Sequence, residues 1–202
     1  MAGKSLYVMI SRTESRMGRL IRLFTRYDYN HVSLTLDPEF RSWVSFARYY
    51  CNAPLYGGYI VEPAERYLAS GKSSRVRIFQ VEISEEKFEQ LSARFDTAGN
   101  PDSGMIYNIF DAMATPWGRS IQVQNAYTCL GFANEVLGQC YANISELDRD
   151  LSDRLVYEGE LKDVVHDSGC RDDIYFTRLG AGRVLWYTMK NLTRLSKRAV
   201  RS

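Results

Sequence analysis

The sequence HVSLTL at positions 31–36 is the most regular alternation of polar and apolar residues in the chain. Side chains along a β-strand point to opposite faces in turn, so Val32, Leu34 and Leu36 share one face. The polar residues, beginning with His31, share the other face. The pattern predicts a strand with one apolar side and one polar side that faces a cleft.

Further strands are predicted on both sides of this one. They lie at residues 6–10, 42–48, 59–62 and 75–83, the third introduced by a flexible turn at Gly57-Gly58. Apolar residues at helical spacing predict helices at 17–24 and 85–95, the latter capped by Ser84. Residues 107–113 are predicted as a short helix, and residues 154–165 as a strand or hairpin.

A second informative stretch is TCLGFANEVLG at positions 128–138. The apolar residues after Cys129 fall at helical spacing, and Gly138 is a natural helix end. Cys129 therefore opens a predicted helix, where free N–H groups and the helix dipole favour an anion. The thiolate is the nucleophilic form of cysteine, so Cys129 is a candidate nucleophile.

A thiol nucleophile also needs a base, and the chain has only two histidines. His31 lies on the polar face of its strand, whereas His166 lies in a polar stretch typical of a loop. His31 is therefore the better candidate. Glu62 ends a strand in which its side chain faces opposite to Val61, so it is a candidate acceptor for the second ring N–H of His31.

Each of these three residues also has a simpler interpretation. Cys129 is in register with the apolar stripe of its own helix, as a buried, inert cysteine would be. His31 is compatible with a structural histidine, and Glu62 with a strand end in water. Periodicity alone favours these structural interpretations over catalysis.

Three segments carry a family resemblance: HVSL at 31–34, GGYIVE at 57–62 and YTCLGFANEVL at 127–137. In this order they resemble the signature blocks of permuted papain-like proteins, bacterial relatives of the NlpC/P60 peptidases that include the YiiX group. In that group the order His, polar residue, Cys replaces the Cys-then-His order of ordinary papain-like enzymes. The likeness spans about residues 6–165.

The resemblance implies that Cys129 is the nucleophile, His31 the base and Glu62 the third member. It implies an α+β fold in which an antiparallel sheet packs against the helix that carries the cysteine. The catalytic domain would occupy residues 1–170, and a basic helical segment residues 171–202. One position departs from the family pattern, because Leu130 stands where the group commonly has serine.

The implied activity is that of a thiol hydrolase: an amidase, peptidase or esterase that forms a thioester at Cys129. Its substrate would be a small-molecule, peptide or lipid amide or ester. Two alternatives stay open. One is a non-catalytic binding module on the same fold, which the Leu130 departure favours. The other is a membrane-associated lipid acyltransferase.

Composition and motifs argue against several classes of partner and predict a cellular compartment. A net charge of +2 over 202 residues argues against a nucleic-acid binder. Neither C-x-x-C nor H-E-x-x-H occurs, and Gly180-Ala181-Gly182 is not a dinucleotide motif, so no metal or other cofactor is expected. Without a signal peptide or an apolar span, a cytoplasmic protein with reduced thiols at Cys51, Cys140 and Cys170 is expected.

The C-terminal segment is basic and has no acidic residue after position 173. A terminal helix is predicted, with Leu185, Met189, Leu192 and Ser196 on one face and Trp186 beside them. Such a helix either touches anionic lipid or an acidic partner, or is simply solvated. The short apolar stripe favours a solvated helix. The basic residues are Arg178, Arg183, Lys190, Arg194, Lys197, Arg198 and Arg201.

Overall fold

The computed structural model describes residues 3–14, 16–68, 74–99, 104–114, 121–165 and 173–199. Within them, eight strands form one sheet in the order β7-β6-β4-β3-β2-β1-β5-β8. The strands are β1 Lys4–Ser11, β2 His31–Thr35, β3 Ser42–Arg48, β4 Gly57–Pro63, β5 Arg75–Ile83, β6 Ile106–Tyr107, β7 Ala126–Tyr127 and β8 Leu155–Glu160.

The sheet is mixed rather than purely antiparallel. All neighbouring pairs are antiparallel except β6 and β7, which run parallel. Parallel neighbours need a crossover connection, and here the connection includes a helix. The expected α+β class is confirmed, and the expected all-antiparallel sheet is corrected at this edge.

Seven α-helices accompany the strands in the described residues. They are α1 Arg16–Thr25, α2 Glu65–Leu68, α3 Glu85–Phe95, α4 Ile109–Ala114, α5 Cys129–Leu137, α6 Ile144–Asp150 and α7 Ala181–Ala199. The predicted caps are confirmed: Ser84 Oγ accepts from Lys87 N at 3.2 Å, and Gly138 ends α5 in the left-handed conformation. Helix α6 was not predicted.

Two local predictions are corrected, and a third is narrowed to its strand alternative. Gly57 and Gly58 belong to β4 rather than to a turn. Glycine fits both positions because β4 passes very close to its neighbours. A Cβ on Gly57 would lie 2.3 Å from the Ala47 carbonyl oxygen. Tyr107 is on β6, and the helix after it starts only at Ile109. The 154–165 stretch is the single strand β8 flanked by two 3-10 turns.

The two faces of the sheet are both covered. On one face, the apolar side of β2 packs with Phe46 and Tyr59 against Phe132 of α5 and Phe95 of α3. On the other face, α2 covers a smaller cluster that contains Trp43 and Tyr67. The polar side of β2 is therefore buried as well, and all five residues of the strand are at most 9% exposed.

The C-terminal segment packs against the edge of the sheet that carries β6 and β7. Leu195 of α7 is fully buried in a cluster with Ile106 and Val123. Asn191 Nδ2 donates to the Leu55 carbonyl at 2.9 Å. The predicted domain boundary at residue 170 lies outside the described residues. Among the described helices, none is both long and apolar enough to span a bilayer.

Candidate active site

The Glu62 carboxylate is the centre of a buried polar cluster. Its Oε2 atom lies 2.8 Å from His31 Nε2. The same oxygen accepts hydrogen bonds from Ser45 Oγ, from Tyr67 Oη at 2.8 Å and from Ser33 Oγ at 3.1 Å. Glu62 and His31 are only 6% and 9% exposed. A buried carboxylate is stable only when paired and hydrogen-bonded, and both conditions are met here.

Three consecutive strands hold this cluster together. His31 and Ser33 come from β2, Ser45 from β3 and Glu62 from β4. Trp43 is paired with Glu62, and Leu34 with Val44, so alternation places the polar residues of all three strands on one face. Pro63 ends β4, and α2 then returns Tyr67 over the carboxylate.

Cys129 is the first residue of α5, as the sequence predicts. Thr128 caps the helix, and its Oγ1 accepts from Gly131 N at 3.0 Å. The Cys129 sulfur contacts the His31 ring and the backbone N–H groups of Val32 and Leu130. The His31 Nε2 atom is already engaged by Glu62, which leaves Nδ1 for the thiol. The structure thus brings all three predicted residues together.

The charges of the three groups depend on one another. Burial alone lowers the pKa of His31, but the negative charges of Glu62 and Cys129 outweigh burial and raise that pKa to about 10. Burial raises the pKa of Glu62, yet the His31 imidazolium lowers it to about 2 overall. Burial likewise opposes ionisation of Cys129, but His31 and the two backbone N–H groups hold its pKa below the usual value. The three shifts act in the same sense, because each favours the ionised form of its group in a thiolate–imidazolium–carboxylate row.

Leu130 has two separate roles in the structure. Its side chain is 9% exposed and packs in the core beneath α5. Its backbone N–H contacts the Cys129 sulfur. A backbone N–H does not depend on the side chain, so leucine at this position leaves that contact to the thiol intact.

Sequence reasoning missed four residues of the site. Ser33 shares the alternating polar face with His31, so the pattern contained a signal for it. Ser45 and Tyr67 reach Glu62 only through strand pairing and the α2 turn, which no local pattern reveals. Tyr107 is the fourth: it lines the same cavity as Cys129, and burial together with the negative charge of Cys129 raises its pKa.

A cavity of about 800 Å³ opens onto the site. Its wall includes Cys129, His31 and Tyr107, together with the apolar side chains of Ile21 and Phe24 from α1. This volume is that of a typical small-molecule or peptide side-chain pocket. The space beside the thiol is therefore large enough for an acyl substrate with an apolar part.

The cavity wall also carries two arginines held by the C-terminal segment. Arg66 makes a two-fold ion pair with Asp173, with N–O distances of 2.7 and 2.6 Å. Arg48 donates to Tyr175 Oη at 3.0 Å, and Tyr175 itself lines the cavity. The segment after position 172 thus completes one wall of the site.

The two other described cysteines are not part of this cluster. Cys51 is half-buried and Cys140 is exposed, both as free thiols. His166 and Cys170 lie outside the described residues. Within the described ranges, no group of three or more His, Cys, Asp or Glu side chains is arranged to hold a metal ion.

The arrangement can perform nucleophilic catalysis, because a thiol at a helix start is paired with an oriented imidazole. Comparison with known proteins finds no match: no family model, curated protein or solved structure matches the chain.

Proposed function

We propose that this chain is a cysteine-nucleophile hydrolase of the permuted papain-like type, acting on an amide or ester through a thioester at Cys129. One observation carries the proposal: a thiol at the start of α5 contacts an imidazole that is ion-paired with the buried Glu62 carboxylate. Pairing of this kind is how thiols are activated near neutral pH. The resemblance of the three sequence blocks supports the same conclusion.

In the first half of the reaction, the Cys129 thiolate attacks the carbonyl carbon of the bound substrate. The C–S bond forms, and the carbonyl oxygen takes the negative charge. The His31 imidazolium then donates its proton to the leaving nitrogen or oxygen as the C–N or C–O bond breaks. The products of this half are a thioester at Cys129, a neutral imidazole and a free amine or alcohol.

In the second half, His31 takes a proton from a water molecule that attacks the thioester carbonyl. The C–S bond breaks, the acid is released and the thiolate–imidazolium pair is restored. Glu62 stays ionised throughout, orients the ring and stabilises its positive charge. An alcohol or amine in place of water would give acyl transfer by the same steps.

The negative charge on the carbonyl oxygen needs hydrogen-bond donors. The N–H of Cys129 is one candidate, because the first N–H groups of a helix have no partner within it. The Tyr107 hydroxyl, on the wall of the same cavity as the thiol, is a second candidate.

The substrate class follows from the cavity. Ile21 and Phe24 provide an apolar wall for an acyl group or side chain, while the thiol lies at the polar end. A cytoplasmic amide, isopeptide or lipid ester fits this division. The free thiols at Cys51, Cys129 and Cys140 are consistent with a reducing compartment.

The pH dependence of iodoacetamide alkylation, mapped by peptide mass spectrometry, tests the proposal. At about pH 6 an ordinary thiol is roughly 0.3% ionised, so exposed Cys140 serves as an internal reference. We expect Cys129 to react at least about tenfold faster than Cys140, and to lose that advantage in His31→Ala. Equal reactivity of the two cysteines, or no effect of His31→Ala, would favour the non-catalytic binding module.

A further inference from the structure

The outward face of α7 exposes three large apolar side chains. Leu185, Trp186 and Met189 are 64%, 67% and 54% exposed. Isolated exposed apolar residues are common on protein surfaces, but these three are neighbours on one helix. At about 100° per residue they fall within roughly 100° of the helix circumference.

The outward orientation of Leu185, Trp186 and Met189 is fixed by contacts that the rest of α7 makes with the protein. The opposite side of α7 is fixed by Leu195, which is fully buried, and by Asn191, which donates to the Leu55 carbonyl. Tyr187 stacks on Tyr56 with ring centroids 4.4 Å apart. The rotation of α7 is therefore set by its packing, and the predicted single apolar face is divided: Leu192 packs inward, whereas Leu185 and Met189 point away.

A line of positive charges runs beside the apolar stripe. Arg183, Lys190, Arg194 and Lys197 are all exposed, and they fall within a sector of about 60° that begins next to Trp186. The helix contains no acidic residue. None of the four takes part in an ion pair among the described residues.

We propose that α7 binds this protein peripherally to the surface of an anionic lipid bilayer. Trp186, Leu185 and Met189 enter the boundary between headgroups and acyl chains, and the four cations contact the lipid phosphates and carboxylates. An amphipathic helix lying in the plane of the interface has this division of apolar and basic side chains. The proposal does not depend on the chemistry at Cys129.

The charges argue against a second copy of this chain as the occupant. Two copies joined through the outward face of α7 would bring their own lines of cations together, without an acidic residue on either helix to offset the repulsion. A bilayer with acidic headgroups offsets every one of these charges, and each Lys or Arg near such a surface adds about 1 kcal/mol of attraction.

Co-sedimentation of the full chain with vesicles tests the proposal. One vesicle population is phosphatidylcholine with about 30% phosphatidylserine, and the other is phosphatidylcholine alone. We expect binding to the first only, weakening as salt rises from about 0.1 to about 0.5 M. Binding should also shift Trp186 emission to the blue, and Trp186→Phe should remove that shift.

Two charge variants sharpen the test. The double variant Lys190→Gln/Lys197→Gln should bind the acidic vesicles about 30-fold more weakly, the factor that corresponds to about 1 kcal/mol for each lost charge. The matched control Lys87→Gln/Lys162→Gln removes the same charge from other elements and should bind almost as the wild type does. Equal loss in both variants would show a net-charge effect and overturn the proposal.

Two other outcomes would also overturn it. Equal binding to both vesicle populations would exclude recognition of acidic headgroups. Absence of vesicle binding, together with a dimer in sedimentation velocity that Trp186→Ser dissociates, would assign the apolar stripe to self-association instead. Because Trp186 is mostly exposed, this change leaves the fold intact and the result readable.

Discussion

His31 Nε2 lies 2.8 Å from Glu62 Oε2, although the two residues belong to strands that are not neighbours in the sheet. Strand β3 lies between β2 and β4. It places Ser45 next to both side chains, and a serine is short enough to let the ring and the carboxylate meet above the strand. Ser45 Oγ donates to Glu62 and lies 3.3 Å from His31 Nε2. The pair is therefore positioned by the register of three strands rather than by a loop.

Glu62→Gln should weaken the activation of the thiol. Without the carboxylate, the effect of burial is no longer outweighed, so the pKa of His31 falls and Cys129 loses much of its imidazolium partner. We expect alkylation of Cys129 at about pH 6 to slow by roughly 10- to 100-fold. Glu89→Gln on the exposed side of α3 is the matched control. Unchanged alkylation in a folded Glu62→Gln protein would show that Glu62 does not support the ring.

Tyr67→Phe tests how much the hydrogen bond from Tyr67 to the Glu62 carboxylate stabilises the fold. The Tyr67 hydroxyl donates to Glu62 Oε2 at 2.8 Å in a buried setting, and a hydrogen bond to a charged group contributes about 1.5–3 kcal/mol. Urea unfolding should show a loss of this size. Tyr141→Phe removes an exposed tyrosine–carboxylate bond, to Asp150, and should cost less than about 1 kcal/mol. Similar losses in the two variants would contradict a special role for Tyr67.

The Tyr107→Phe variant should distinguish stabilisation of the oxyanion from activation of the nucleophile. Removing one donor to a developing oxyanion typically lowers kcat by about 10²–10³-fold. We expect a loss of this order in the hydrolysis of p-nitrophenyl acetate, while iodoacetamide alkylation of Cys129 changes little because that reaction forms no oxyanion. Tyr157→Phe on β8 is the control. Parallel losses in hydrolysis and alkylation would mean that Tyr107 acts on the thiol instead.

Gly57→Ala should destabilise the fold through a main-chain clash. The added Cβ would lie 2.3 Å from the Ala47 carbonyl oxygen and 2.9 Å from its carbon, and neither atom can rotate away. Overpacking of this kind typically costs about 1–3 kcal/mol in urea unfolding. Gly182→Ala in α7 meets nothing within 4 Å and should stabilise by up to about 1 kcal/mol. Equal effects at the two positions would refute the close approach of β3 and β4.

Stability should depend on pH through the His31–Glu62 pair. The pKa of Glu62 is lowered in the fold, so its contribution is complete above about pH 4.5 and is lost as the pH falls towards 2. The pKa of His31 is raised, so its contribution is complete below about pH 6.5 and is lost as the pH rises towards 10. Both contributions are complete between about pH 4.5 and about pH 6.5, so the difference in unfolding free energy between wild type and His31→Gln should be largest in that range. A difference that is flat from pH 3 to 9 would argue against the ion pair.

Much of the fold could be predicted because its main strands carry strong local patterns. The alternation at β2 and the apolar run at β5 give the strand bounds closely, and Cys129 opens α5 as predicted. Helix α6 also carries a local signal: Asn143 Oδ1 accepts from Glu146 N, and Glu146 accepts from Ala142 N, one residue before the N–H that a capping box uses.

The rest depends on long-range pairing. Strands β6 and β7 have two residues each, too few for any periodicity, and exist only because they pair with each other and with β4. The same reason hides Tyr107, whose position on the cavity wall follows from its pairing with Tyr127. Within the site, periodicity predicts on which face of its strand each of His31 and Glu62 lies. That the two side chains meet across β3 follows only from the strand order in the sheet, which no local pattern contains.

The order of β2, β3 and β4 before α5 has a consequence for synthesis on the ribosome. Strands β2, β3 and β4, which carry His31, Ser45 and Glu62, are consecutive in the chain, and they leave the ribosome before β5, α3 and finally α5 are made. The nascent chain thus acquires its base and carboxylate first, and the site thiol last. A chain released early, before α5, holds no site nucleophile at all, so translation itself delays the onset of reactivity until seven of the eight described strands have been made.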